Sequence, residues 1–233
     1  MKKASTLVDN FIAPPCYERI KILYQDSNLL VIDKPSGLLS LSGKKAENKD
    51  SVHARLIKNY PTATMVHRLD FGTSGLMVVA LDKAVNAHLT KQFQARLVRK
   101  EYLAILLGHL PNDEGTIDVP LTKGEFPYQR VCFETGKQSL SHYQVLERLN
   151  GSNGIKTTKV LFTPLTGRTH QLRIHSRELG YPIIGCDLYG KIIDGIDSQQ
   201  LANRLMLHAT RLSFEHPVTG ENVCFVAQSN EFE

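Results

Sequence analysis

Between two apolar runs, Thr64 to Leu69 and Leu76 to Leu81, the chain carries Asp70-Phe71-Gly72-Thr73-Ser74-Gly75. Two glycines in so short a connection allow a tight, sharply curved backbone between strands. An aspartate at the mouth of such a loop is held where solvent and ligands reach it. That arrangement demands a sheet to carry it, and the flanking segments supply one. Ile22-Leu23-Tyr24 and Leu29-Leu30-Val31-Ile32 read as a hairpin around Gln25 to Asn28. Tyr102 to Leu107, Ser141 to Leu149, Lys159 to Leu165, Arg204 to Phe214 and Val223 to Ala227 read as further strands.

Helices are fewer. Val85, Leu89, Phe93 and Leu97 recur every four residues and predict a helix over Ala84 to Val98, and Val52 to Tyr60 predicts a short one stopped by Pro61. A third runs from a Thr169 cap to Leu179, with Gly180 and Pro182 beyond. Ser42 to Ser51 reads as a mobile loop, and residues 111–130, with Pro111, Pro120 and Pro127, as a loop or a hinge between halves. Strands and helices are interspersed without a strict βαβ rhythm or a repeat, which predicts an α+β fold on a mixed, largely antiparallel sheet.

The 233 residues are 42% hydrophobic and 22% charged, an ordinary globular composition. No stretch approaches the roughly 18 apolar residues of a membrane span, and no export signal precedes Ile12, so the reading is a cytoplasmic protein. Cys16, Cys132, Cys186 and Cys224 form no CxxC pair, which leaves no zinc or redox spacing. Asn150-Gly151-Ser152 is then a turn rather than a glycosylation acceptor. The net charge of +5, with nine further histidines, favours an anionic partner.

Four templates fail. A GxSxG nucleophile elbow around Ser74 needs glycine where Leu76 stands. His67-Arg68 and Asp70-Phe71-Gly72 imitate kinase fragments that belong far apart in a kinase chain, and neither a phosphate-binding GxxxxGK[ST] nor a zinc-deaminase pattern occurs. Asp70 therefore remains either a turn cap or a reactive carboxylate. On the third helix, the period of 100° per residue puts His170, Arg173 and Arg177 on one face, opposite Leu172, Ser176 and Leu179. That face is either a solvated basic ridge or an anion clamp, which Arg168 and the helix start would reinforce.

His67-Arg68-Leu69-Asp70, Gly72-Thr73-Ser74-Gly75-Leu76, Lys100-Glu101-Tyr102 and Gly167-Arg168-Thr169-His170-Gln171-Leu172-Arg173-Ile174-His175 resemble, in order, the motifs of the type-A RNA pseudouridine synthases, the class named for the large ribosomal subunit. Asp33-Lys34-Pro35-Ser36-Gly37-Leu38 and Arg204-Leu205-Met206-Leu207-His208-Ala209 extend the resemblance, which spans about Ile22 to Ala227. It implies the pseudouridine synthase fold, a long mixed sheet in two halves with an active-site cleft across its middle. It also implies an isomerase that needs no cofactor or metal and converts uridine to pseudouridine in structured RNA, with rRNA and the tRNA anticodon stem-loop as targets. Asp70 would be the catalytic carboxylate, Arg173 its ion-pair partner, and Tyr102 the ring stacked on the target uracil. Arg68 would fill the space of the flipped base, with Arg168 and His170 also on the substrate. The alternative is a non-catalytic RNA-binding protein on the same fold.

Residues 1–20 read as an arm and 21–233 as the catalytic domain, too little chain before Lys21 for the S4-like domain of many relatives. A monomer that recognises RNA through its cleft alone is the expectation.

Overall fold

The computed structural model describes residues 11–151 and 154–232. β1 (Lys21–Gln25) and β2 (Leu29–Lys34) form the expected hairpin. Its turn is closed by the Asp26 carboxylate, which accepts from the N–H groups of Asn28 and Leu29 at 2.7 and 2.8 Å. α1 (Val52–Leu56) is capped by the Ser51 hydroxyl, which accepts from the Ala54 N–H. β3 (Thr64–Met65), β4 (Ser74–Ala80) and α2 (Lys83–Gln94) follow, with Asp82 capping α2 through the N–H groups of Ala84 and Val85.

The period of two along β2 and β4 divides their side chains between two layers. Leu29, Val31, Leu76, Val78 and Ala80 pack under Val85 and Leu89 of α2. Leu30, Ile32, Met77 and Val79 pack on the other face with Val52 and Leu56 of α1. Covering on both faces explains why β4 is buried at every position and reads as one continuous apolar run.

β5 (Arg99–Leu107), β6 (Glu114–Asp118), β7 (Leu121–Lys123), β8 (Gln129–Val131), β9 (Leu140–Asn150) and β10 (Lys156–Pro164) precede α3 (Gln171–Glu178). The short β11 (Ile192–Ile193) and β12 (Ile196–Asp197) come before β13 (Leu207–Glu215) and β14 (Asn222–Val226). Ten of these strands make one sheet, ordered β1-β2-β4-β13-β5-β10-β9-β6, with β3 beside β4 and β14 beside β13. The mixed, largely antiparallel α+β sheet expected from the sequence is what forms: among its pairings, β4 with β13 is parallel and the rest are antiparallel.

β13 is where the two parts of the sheet meet. His208 and Ala209 pair with Ser74 and Gly75 of β4, whereas Arg211 to Glu215 pair with β14. Gly75 has φ +108, and a Cβ there would lie 2.3 Å from the Ala209 carbonyl oxygen. Only glycine lets the strand that leaves the Asp70 loop approach β13 so closely. Beyond this junction Leu106, Val160 and Phe162 of the sheet pack with Leu172 and Ile174 of α3.

Several local expectations are corrected. Of Thr64 to Leu69 only Thr64–Met65 is strand, because His67 turns its ring inward to accept the Val78 N–H at 3.0 Å and stacks on Phe93. The helix expected to Val98 stops at Gln94, since Arg96 adopts φ 60; the one expected to Tyr60 stops at Leu56. Residues 111–130 are not a hinge: they hold β6, which edges the main sheet beside β9, and the separate β7–β8 hairpin. The Ser42–Ser51 loop is pinned, with Gly43 N–H donating to the Asn48 carbonyl at 2.7 Å and Asn48 buried. β9 ends at Asn150, Gly151 follows outside the strand, and Ser152 lies outside the described residues. Residues 11–20 run without helix or strand against the body, where Arg55 donates to the carbonyls of Cys16 and Glu18.

Candidate active site

Asp70 ends the segment that leaves β3, and its loop is fastened from beneath. Lys34 has no exposed surface, and its ammonium donates to the carbonyls of Pro35 (2.9 Å), Leu38 (2.8 Å) and Phe71 (3.3 Å). Burial pulls the Lys34 pKa down to about 7, and nearby Asp70 opposes that shift. Ser36 and Ser40 add hydrogen bonds to the carbonyls of Gly72 and Leu69, both at 2.7 Å. The result is a rigid loop whose Asp70 side chain keeps 26% of its surface open to a cleft of about 860 Å³.

α3 departs from the expected helix in its start and its orientation. His170, not Thr169, is the cap residue; it sits at φ 58, ψ 18 and makes no side-chain cap bond. Gln171 compensates, with its carbonyl oxygen accepting from the Arg168 N–H at 2.9 Å and the Thr166 hydroxyl at 2.8 Å. Residues Gln171 to Ser176 are all buried, so α3 presents no solvated basic ridge. Of the expected basic face, His170 and Arg173 reach Asp70, while Arg177 is not among the residues lining the cleft.

Arg173, with a side chain only 5% exposed, brings Nη1 to 3.8 Å from Asp70 Oδ2 and pairs through Nη2 with Asp187. Its Nε donates to Cys186 Sγ at 3.3 Å, and its guanidinium lies 5.2 Å over the Tyr189 ring. Burial works against this charge, but Cys186, Asp70 and Asp187 outweigh it and raise the pKa. His170 places Nε2 4.0 Å from Asp70 Oδ1. Burial lowers its pKa, more than Asp70 raises it, so the ring is neutral at pH 7. Tyr189, whose phenol burial pushes up, shares a hydrogen bond of 2.7 Å with His170 Nδ1 and accepts the Gln129 N–H at 2.8 Å. With Tyr189 as the donor, the imidazole proton lies on Nε2, toward Asp70.

Tyr102, on β5, lines the cleft with Asp70. Burial first and the Asp70 charge second raise its phenol, so it stays protonated across the working pH range. Lys100, two residues before it, also lines the cleft, and burial lowers its ammonium pKa. Arg68 is exposed at the rim; Arg168 lines the cleft while its Nε donates to the Gln138 carbonyl at 3.2 Å. The six residues given a site role by the sequence resemblance, Asp70, Tyr102, Arg173, Arg68, Arg168 and His170, thus border one cleft. Asp70 is its only carboxylate among the described lining residues, against Arg68, Lys100, Lys123, Arg168 and Arg173. Such a surface suits an anion with one negative group left to act on it.

Asp187, Tyr189, Lys34 and Lys100 were missed as site residues. Lys34 and Lys100 stood inside the recognised motifs without a role, whereas Asp187 and Tyr189 carry no pattern of their own. The elbow reading of Ser74 is closed off physically: its hydroxyl is buried between His208 Nδ1, at 2.8 Å, and the Arg204 guanidinium. No group of His, Cys, Asp and Glu among the described residues is arranged to hold a metal ion. No helix among them is long and apolar enough to cross a membrane.

Comparison with known proteins bears on the family and the fold. The family model described as RNA pseudouridylate synthase matches residues 28–178. The dual-specificity RNA pseudouridine synthase RluA of Yersinia pestis is 44% identical over 210 residues, 89% of this chain and 98% of the relative. The protein of the same name from Escherichia coli K12 is 42% identical over 219 residues, 93% and 96% of the two chains. Among solved structures, human RNA pseudouridylate synthase domain containing 1 superposes with a TM-score of 0.75 at 32% identity, covering 93% of this chain and 86% of that one. By the family model and these relatives, the chain belongs to the RNA pseudouridylate synthases, enzymes that isomerise uridine in RNA to pseudouridine.

Proposed function

We propose that this enzyme acts on uridines in short RNA stem-loops of rRNA and tRNA, with Asp70 as its catalytic carboxylate. The observation that carries the reading is the ion pair at the cleft floor, a solvent-open Asp70 held 3.8 Å from an almost fully buried Arg173. The reaction breaks the bond between uracil N1 and ribose C1′, turns the base, and joins C5 to C1′; the C5 proton leaves and N1 gains one. Asp70 acts at the ribose, either as nucleophile at C1′ or by supporting glycosidic cleavage. Arg173 balances its charge and aims it, and His170 offers the Nε2 proton on its other side. Tyr102, as a neutral phenol, lies against the uracil face.

A uridine in a stem-loop must be unstacked before its glycosidic bond is reachable, at a cost of a few kcal/mol. Arg68, exposed at the rim with a planar cation, takes the vacated place in the stack. Arg168 and Lys100 contact flanking phosphates. The relatives' designation as dual-specificity enzymes supports more than one RNA target, and rRNA and the tRNA anticodon arm are the two that the sequence resemblance implies. A monomer working in the cytoplasm, where such RNA is made, completes this reading.

The test is direct. Purified protein incubated with an isolated stem-loop of about 17 nucleotides should form pseudouridine nearly as fast as with the full RNA, because so small a cleft reads a loop and its fold. Affinity should fall with salt by a slope of only a handful of phosphates. A strict requirement for a ribosomal particle, or a slope of about 10 as for a large multi-contact binder, would overturn this choice of substrate.

A further inference from the structure

The chemistry proposed above makes no use of the β7–β8 hairpin, yet the hairpin forms part of the same cleft. Lys123, Gly124, Phe126, Pro127, Tyr128 and Gln129 all line it. Phe126 is 58% exposed and Tyr128 46%. The hairpin is anchored through the buried Leu121, while both rings keep about half of their surface open to the cleft.

The rings are held on a firm frame. Leu121 and Lys137 exchange backbone hydrogen bonds of 3.0 and 2.8 Å, and Cys132 N–H donates to the Pro120 carbonyl at 3.0 Å. At the tip Gly124 N–H reaches the Tyr128 carbonyl at 3.1 Å, and Tyr128 N–H reaches that of Glu125 at 2.7 Å. The hairpin is also joined to the catalytic pair. Gln129 N–H donates to the Tyr189 hydroxyl, the Tyr128 ring meets Tyr189 edge-on at 6.1 Å, and Tyr189 underlies Arg173. Two exposed rings lining a cationic cleft, with Lys123 exposed beside them, match an anionic polymer whose units have flat apolar faces.

We propose that Phe126 and Tyr128 form the stacking platform for the unpaired bases flanking the target uridine, with Lys123 at the adjoining phosphate, so that this hairpin selects which RNA loop enters. The inference rests on the isomerase reading above and adds the element of substrate choice. Stacking on an aromatic ring tolerates any base, because every base has a π-face. Discrimination then comes from loop geometry: only a loop that splays its flanking bases toward the hairpin engages both rings while its uridine reaches Asp70.

The experiment uses the full chain carrying Asp70→Asn, which holds RNA without turning it over, and a stem-loop with 2-aminopurine next to the uridine. Binding should quench the fluorophore, and adding Phe126→Ala with Tyr128→Ala should abolish the quench and weaken affinity about tenfold or more. An abasic site at the flanking position should cost as much, and the two losses should not add. In the otherwise unaltered enzyme the same pair of substitutions should raise KM for the stem-loop more than it lowers kcat, with the thermal midpoint kept. Full quenching by the substituted hairpin, or losses that add completely, would overturn the platform while turnover by the unaltered enzyme preserved the isomerase reading. No turnover by the unaltered enzyme would overturn both.

Discussion

Arg173 serves two carboxylates at once, standing 3.8 Å from Asp70 while pairing more closely with Asp187. Asp187 is more than half exposed and Asp70 is not, so the tighter bond lies on the solvent side. Asp187 thereby fixes the guanidinium plane, and Asp70 meets a cation that is already aimed.

Replacing Arg173 by Met should lower kcat by about a hundredfold or more, the scale for losing one preorganised charge partner. Asp187→Asn should lower it less, with RNA affinity unchanged, because the cation remains and only its aim is lost. Single-turnover rates at saturating stem-loop separate these effects from binding. Equal rates for Arg173→Met and the unaltered enzyme would show that the pair plays no part.

Arg68→Ala should impair modification of a folded stem-loop more than that of an unstructured oligonucleotide, whose uridine costs less to extract. The comparison is of kcat/KM on the two RNAs. Equal losses would contradict a role in flipping.

Lys34→Met keeps the length of the side chain but leaves three carbonyls without their donor. An unsatisfied buried acceptor costs about 1–3 kcal/mol, so urea unfolding should show a loss of at least that size. The Asp70 loop loses its tie at Phe71, and kcat should fall while RNA affinity holds.

His67 makes an acid-sensitivity test. Burial, helped by the charge of Lys100, lowers its pKa from the ordinary 6.5 to about 3. Between these values the unfolded chain binds a proton that the folded chain refuses, so stability is full above about pH 6.5 and falls as pH drops toward about 3. His67→Gln retains an acceptor for the Val78 N–H but cannot titrate. Its unfolding free energy should fall less steeply between about pH 6.5 and 4, by up to about 1.4 kcal/mol per pH unit. A slope identical to that of the unaltered protein would contradict a buried neutral imidazole.

The sequence carried the sheet and the ends of the site for different reasons. Leu29 to Ile32 was legible because a strand covered on both faces is a continuous apolar run, and Val85, Leu89 and Phe93 because burial of one helix face imposes a period. Thr64 to Leu69 misled because its apolar residues serve a core, yet His67 takes the backbone bond that a strand would have made. The β7–β8 hairpin hid behind prolines, which in this chain flank strands as well as loops. Asp70, Tyr102 and Arg173 emerged because each lies inside a recognisable motif. Tyr189 and Asp187 reach the site from a stretch without helix or strand, where no period marks which side chain turns inward.

The most direct test of the account is pseudouridine formation by Asp70→Asn, measured in the stem-loop alongside its binding affinity. The substitution keeps size and most hydrogen bonding but removes the reactive carboxylate. The account predicts no detectable pseudouridine with affinity close to that of the unaltered enzyme. Measurable turnover by this variant would contradict it.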